Sequence, residues 1–476
     1  MNRRFILSLA GALAVAACND QQEPSTAAAN PGSSFASTAG VKGINVALKG
    51  PATPAQLAQL AKYGTIKDQL PEINAVLMSG DASALKAIQA LPFVATANFD
   101  AARNIPREPT VQADANFSNG LSTWDLDAIG VTNFASGRTI SYDGTGVNVA
   151  ILDTGLLPGW RSYFPENRIA TQYAKAFGGG GGDNGNVSTQ PNKWEDDTYG
   201  HGTHVTSTVL GYDLFGTPIN GVAPNVTIIP VKVLNQNGSG WSSAIAEGIL
   251  YVADLKAGEL SGSPMVINMS LGGPVQDALE KAAIDYAISK GVIVVASAGN
   301  EGTAGMGYPG AYQPVISAAA SGWVKEWDCG SGYTTNWWVA CDVADPTNAN
   351  DFYITDFSSR AKAGQDLDVA APGSWVVGPF QTNQGQLAYF FLGGTSMASP
   401  HVAGIVALMA QKNPSLTAAD AEATLESTAI PLAAGSRTLT DISGSTITQS
   451  WGSDATGAGL VSADRALGLS LTRRNR

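Results

Sequence analysis

The chain has 476 residues, of which 44% are hydrophobic and only 14% charged, with 54 glycines. That composition excludes a disordered or fibrous protein, and the length allows a large core with accessory parts. A formal net charge of −12 argues against nucleic acid as a partner, because such a partner attracts basic surfaces.

Arg3 and Arg4 precede an apolar run, Phe5 to Ala17, too short to remain across a bilayer. The run ends Val15-Ala16-Ala17-Cys18, which resembles a bacterial lipoprotein signal, and the favoured reading makes Cys18 a lipidated first residue. The alternative is an ordinary secretory signal with Cys18 incidental. Either way residues 1–18 direct export, and the lipid would be the chain's one hold on a membrane. Export puts Cys329 and Cys341 in an oxidising setting, where a disulfide is expected and two buried thiols are the alternative. Residues 19–41, rich in Gln, Ser, Ala, Asn, Pro and Gly, bury too little to fold and read as a flexible tether.

Residues 42–102 read as a small α+β unit. Ile44 to Leu48 alternates like a strand, and Thr53 caps a helix carrying Leu57, Leu60 and Ala61. An extended stretch around Ile73 to Met78 follows, then a helix capped by Asp81 with Leu85, Ile88 and Leu91 on one face. Val94 to Phe99 closes the unit as a strand. The order β-α-β-β-α-β is the ferredoxin-like pattern, loose in its middle, and by itself it assigns no function. Residues 103–121 are polar, contain Pro106 and Pro109, and read as an exposed linker.

Residues 122–468 alternate strands and helices. Strands are expected over Val147 to Leu152, Val226 to Val233, Val266 to Met269 and Val292 to Ala296. Helices are expected after His201, over Ala244 to Leu255, over Gln276 to Lys290 and over Val402 to Met409. This is an α/β unit with a mostly parallel sheet and helices on both faces, its site beyond the carboxyl ends of the strands. Residues 469–476 form a tail.

All three histidines fall in two short motifs. Asp153 ends the apolar stretch Val147-Asn148-Val149-Ala150-Ile151-Leu152, where a strand-end turn is the plain reading. Gly200-His201-Gly202-Thr203-His204-Val205 sets two histidines three apart at a helix start. That spacing also suits a metal, although no acidic residue sits at a helical step. Gly393-Gly394-Thr395-Ser396-Met397-Ala398-Ser399-Pro400-His401 leads into an apolar helix, with Pro400 read as lying in its first turn. Ser396 thereby sits at a helix N-terminus, as a plain cap or as a group whose developing anion the N–H groups favour.

Together, in the order Asp, His, Ser, these motifs resemble the subtilisin-like serine proteases over residues 122–468. The resemblance implies a secreted endopeptidase with Ser396 as nucleophile, His201 as base and Asp153 as the group orienting it. His204 and His401 become packing residues. Val294-Val295-Ala296-Ser297-Ala298-Gly299-Asn300-Glu301-Gly302 resembles the oxyanion segment, with Asn300 as the donor. Gly238-Ser239-Gly240 and Ser270-Leu271-Gly272 resemble the two segments that sandwich an extended peptide, and Ala298, Gly299 and Gly307 match the primary pocket. A glycine floor implies cleavage after large apolar residues. Tyr308-Pro309 resembles a cis turn of the family.

The resemblance also implies that residues 42–102 are a propeptide, an intramolecular inhibitor removed by cutting within 103–121. It implies protein or peptide substrates, a monomer, no cofactor for catalysis, and structural calcium at sites the sequence does not specify. Asp196, Asp197 and Asp213 read as solvated loop acids. Trp323 to Asp351, holding four tryptophans and two cysteines, reads as an inserted surface hairpin packing its own aromatics, with a substrate-binding flap as the alternative.

Overall fold

The computed structural model describes residues 40–106, 108–113, 123–133, 137–178, 187–190, 192–327 and 343–469. The expectations for Cys18, for the Cys329–Cys341 disulfide and for the tether as far as residue 39 lie outside the described residues, and the tether is corrected at its end, where Val41 already opens a strand.

The small unit is a four-stranded antiparallel sheet in the order Gly64–Leu70, Ala75–Asp81, Val41–Leu48, Val94–Phe99. Two helices cover it, Pro54–Leu60 and Leu85–Gln89. Thr53 and Gln56 form a reciprocal capping box at the first. The strand Gly64–Leu70 escaped the sequence reading because three of its residues in a row, Lys67, Asp68 and Gln69, are polar and exposed. Strand alternation divides the sheet. Ile44, Val46, Val76 and Met78 pack under the unit's own helices with Leu60 and Ile88. Ala75 and Leu77, on the opposite face, join a cluster containing Ala283, Ile284 and Ala287 of the larger body.

The larger body is built on a nine-stranded sheet. Its parallel centre runs Lys175–Gly178, Thr227–Lys232, Asn148–Asp153, Met265–Met269, Val292–Ser297, Ile316–Trp323 and Val369–Pro372. Ser188–Thr189 and Phe352–Ile354 add antiparallel edges. The central strands are buried throughout, as their apolar runs require when helices cover both faces. Val149 and Ile151 face the helices His201–Leu210 and Thr395–Lys412, whereas Ala150 and Leu152 face Ser242–Ala257 and Ala278–Ser289.

Two expectations are corrected here. The described part of the expected linker, 103–106 and 108–113, is not exposed throughout, although Asn104, Pro109, Thr110 and Gln112 are. Arg103 is fully buried and Ala101, Ile105 and Ala113 are nearly so, because Ala102–Asn104 and Thr110–Gln112 are strands paired with the larger body. Nor do the tryptophans at the start of the supposed insertion pack on one another. Trp323 ends a core strand and stacks on Trp124 at 6.5 Å, and Trp327 meets Trp375 and Phe391 edge-on at 5.4 and 5.3 Å. Trp337 and Trp338 are outside the described residues.

Candidate active site

Asp153 ends its strand at the carboxyl edge of the sheet, fully buried. The ring of His201 meets it through Nδ1, at 2.8 Å from Oδ1 and 2.9 Å from Oδ2. His201 opens its helix directly over the strand end, and Gly202 makes that approach feasible. A β-carbon there would lie 2.3 Å from the carbonyl oxygen of Gly155. Asp197 fixes the turn before His201, accepting from Thr154 Oγ1 at 2.9 Å, Tyr199 N at 2.9 Å and Gly200 N at 3.0 Å. It is completely buried, so the reading of Asp197 as a solvated acid is corrected, and burial raises its pKa. Asp196 does lie at the surface, paired with Lys193 at 2.7 Å, and Asp213 binds Gly216 N at 2.6 Å.

Ser396 is the second residue of the helix Thr395–Lys412. The helix begins before Pro400, not after it, so Pro400 lies in its interior. A proline there leaves the carbonyl four residues back without a helical donor. That carbonyl belongs to Ser396, and Ser270 Oγ donates to it at 2.7 Å. The Ser396 hydroxyl itself donates to Ser270 O at 3.5 Å, and His201 Nε2 makes no hydrogen bond.

What stands beside that nitrogen is Glu108, from the segment that links the two units. Its Oε1 lies 3.4 Å from His201 Nε2, and a β-carbon on Gly394 would come within 2.6 Å of the same oxygen. Glu108 is thus wedged between the starts of the two helices. Burial pulls the His201 pKa down, but the Asp153 and Glu108 carboxylates outweigh it and lift it to about 10. His204 goes the other way, to about 3, through burial and the charge of His201. Its Nε2 donates to Val376 O at 3.1 Å, and His401 lies between Met397 O and Asp125, at 2.7 and 2.9 Å.

Asn300 follows the strand Val292–Ser297. Its Oδ1 accepts from Thr395 N at 2.9 Å and Thr395 Oγ1 at 2.8 Å, which leaves the buried Nδ2 as a donor with no partner. Thr395 went unnoticed in the sequence, and its place immediately before Ser396 was the available signal.

The linker threads between the segments expected to hold a peptide. Ser239, Gly240 and Trp241 pair antiparallel with Asn104, Arg103 and Ala102, and Ile105 N donates to Gly238 O at 2.8 Å. Asn104 exchanges both backbone hydrogen bonds with Gly272, at 2.9 and 3.0 Å. Ser270 and Leu271 are buried behind it, Ser270 serving the Ser396 helix and Leu271 the core. Past Glu108, Gly393 N donates to Pro109 O at 3.1 Å, and Thr110–Gln112 joins the strand Ala388–Leu392. Ala298, Gly299 and Gly307 come together as expected, with Gly307 N donating to Ala298 O at 2.9 Å. Gly299 holds φ +106°, a conformation side chains rarely adopt. A methyl group on Gly307 would make only ordinary contacts. Tyr308–Pro309 is cis.

Among the described residues, Asp366, Asp368 and Glu422 bring carboxylate oxygens within 4.8 Å of one another. Ser317 donates twice to Asp368 Oδ2, while the buried Oδ1 has no partner. Hard oxygen donors of this kind suit calcium.

The sequence model of the Subtilase family matches residues 144–462, from just ahead of the Asp153 strand to beyond the Ser396 helix. The chain belongs to the subtilase family. It is 37% identical over 297 residues to subtilisin DY of Bacillus licheniformis, covering 61% of this chain and 86% of that one. Thermitase of Thermoactinomyces vulgaris is 35% identical over 287 residues, 60% of this chain and 82% of its own. Fervidolysin from Fervidobacterium pennivorans, a keratinolytic enzyme related to subtilisin, shares the fold with a TM-score of 0.63 at 24% identity. That match covers 91% of this chain and 62% of fervidolysin, so the chain spans less than two thirds of that protein. This subtilase is a serine-type endopeptidase, and its chemistry needs no cofactor.

Proposed function

We propose that this subtilase is made as a zymogen whose own linker is its first substrate. The observation that carries the reading is the course of residues 102–112, bonded as an extended chain on both sides of Glu108 along the cleft that holds His201. Residues 42–102 act as the intramolecular inhibitor, and cutting within 103–121 releases the catalytic part, 122–468.

In the reaction, Ser396 Oγ attacks the carbonyl carbon of the scissile bond and passes its proton to His201 Nε2. Asp153 holds the other ring nitrogen and stabilises the imidazolium. The unpartnered Asn300 Nδ2 donates to the oxygen as it becomes an anion. His201 then protonates the departing amine, and water attacks the acyl-enzyme by the same route in reverse. Gly238, Ser239, Gly240 and Gly272 bind the substrate backbone, which gives broad specificity. Ala298, Gly299 and Gly307 form a primary pocket for large apolar side chains.

Export by residues 1–18, lipidation of Cys18 and a Cys329–Cys341 disulfide belong to the same reading. A structural calcium ion at Asp366, Asp368 and Glu422 joins it, supported by the orphaned Asp368 oxygen. Casein digestion and labelling by a fluorophosphonate test the central claim. Both should be present in the matured protein and absent in Ser396→Ala; labelling that survives this substitution would refute the assignment. Peptides varied at the residue before the cut test the pocket, and a strong preference for Lys or Asp there would refute it.

A further inference from the structure

The linker carries one fully buried arginine, and the larger body supplies its partner. Arg103 Nε and Nη2 donate to Glu280 Oε1 and Oε2 at 2.9 and 2.6 Å, a two-pronged pair with both side chains at 0% exposure. The third nitrogen, Nη1, donates to Ala102 O at 3.0 Å. Glu280 lies in the first turn of the helix Ala278–Ser289, behind the cap residue Asp277. Gly273 forms one wall. A β-carbon there would lie 2.5 Å from Ala102 O and 3.2 Å from Arg103 Nη1, so the glycine leaves passage for both backbone and guanidinium.

Arg103 is not attached to the small sheet. It sits on the strand Ala102–Asn104, opposite Gly240 and one residue ahead of the Asn104–Gly272 bridge. It therefore occupies a side-chain position of whatever peptide is laid in this cleft, upstream of the bond to be cut. When the linker departs, Glu280 stays behind at the bottom of the vacated pocket. Tyr312 still bonds Glu280, but the carboxylate loses both bonds to its one cationic partner at a site where burial disfavours its charge, so the next occupant is selected by what it brings there. A planar guanidinium restores both hydrogen bonds, whereas an apolar side chain restores none.

We propose that Glu280 is a specificity-determining residue, and that the mature enzyme prefers substrates with arginine at the position Arg103 occupies in the zymogen. The proposal rests on the reading that the linker lies in the cleft of a working protease. Its substrate class is proteins with an arginine in an extended segment a few residues before the cleaved bond, independently of the apolar residue chosen by the primary pocket.

The test uses a fluorescence-quenched peptide with the sequence of residues 101–112, and the same peptide carrying Arg103→Leu. The matured enzyme should cut the arginine peptide with a kcat/KM roughly 30-fold or more above the leucine peptide. The second enzyme carries Glu280→Leu together with Arg103→Leu in its own linker, so that no buried arginine is stranded during maturation. In it the ratio should fall to about 1 or below, with fluorophosphonate labelling reporting an assembled site. Equal kcat/KM for the two peptides in the wild type would overturn the proposal, as would a preference for arginine that persists without Glu280. Cleavage of neither peptide, with casein still digested, would also overturn it. Failure on casein as well would instead fell the protease reading beneath it.

Discussion

At the residue scale the site depends on which groups are left without partners. Thr395 donates twice to the Asn300 oxygen, which turns the amide so that its Nδ2 has no partner and stays free to donate. Asn300→Ala should lower kcat by about 10²–10³ with little change in KM, the loss typical of one oxyanion donor. Steady-state kinetics on one peptide decides, and a change confined to KM would show that the amide acts on the bound ground state instead. Glu108 has the opposite effect on His201. A histidine raised to about 10 is charged at neutral pH and has no lone pair to accept the serine proton. The sign follows from the direction. With the pKa raised above its usual 6.5, the hold of Glu108 on His201 is complete below that value and is lost as pH climbs through about 10. Self-processing should therefore accelerate between these limits, and Glu108→Gln should move the rise to lower pH. Identical pH–rate profiles for the two zymogens would contradict this. The motifs around Asp153, His201, Asn300 and Ser396 were legible because the chemistry demands those residue types at strand ends and helix starts. Glu108 and Glu280 were not, since each matters only through a partner far away in the chain.

At the scale of elements, two helix N-termini form the landing for the small sheet. Asp100 caps Ser242–Ala257, accepting from Ser242 Oγ at 2.8 Å, Ser243 N at 3.0 Å and Ser243 Oγ at 2.6 Å. Asp277 caps Ala278–Ser289 and also takes Asn45 Nδ2 at 2.9 Å and Asn98 Nδ2 at 2.6 Å. Asn98 Oδ1 accepts in return from Ala278 N at 3.2 Å. Asn98→Ala removes both of its bonds to this helix start and should speed release of the cut prosegment by roughly 10- to 150-fold, the range of a lost bond to a charged group. The lag between processing and the appearance of activity reads this out, and an unchanged lag would contradict it. Four of the nine strands of the large sheet were visible as apolar runs, and the other five were not singled out. The helix of Ser396 was misread at its start because Pro400 looks like a first-turn residue until Ser270 is seen serving the carbonyl it frees. Ala102–Asn104 gave no strand signal at all. Its pairing comes from the cleft, not from its own composition.

For the whole molecule, the proposed reading places export, inhibition and release in order along the chain. The proposed lipid site, Cys18, precedes residues 42–102, so a cut in the linker would free the catalytic part from such an anchor. Ser396→Ala should remain with the membrane fraction while the wild-type product is recovered soluble; a mature enzyme that pellets with membranes would contradict that order. The proposed calcium site belongs to the same scale. Chelation should lower the melting temperature of the matured enzyme, and Asp368→Asn should abolish most of that difference, because an ion bound only by the native fold stabilises it by mass action. The change in pattern near residue 101 separates the stretch that forms the small antiparallel sheet from the stretch that forms the large, mostly parallel one. That the two meet through a segment already lying in the cleft was not legible in the sequence.

The most direct test of the account is the mass of both fragments after maturation. Hydrogen bonds hold the linker at Asn104 on one side and Pro109 on the other, with His201 and Glu108 between them. The first cut should therefore fall between Asn104 and Pro109, and Ser396→Ala should remain uncut. A first cut outside that interval, or the same fragments from Ser396→Ala, would contradict the claim that the linker is this subtilase's first substrate.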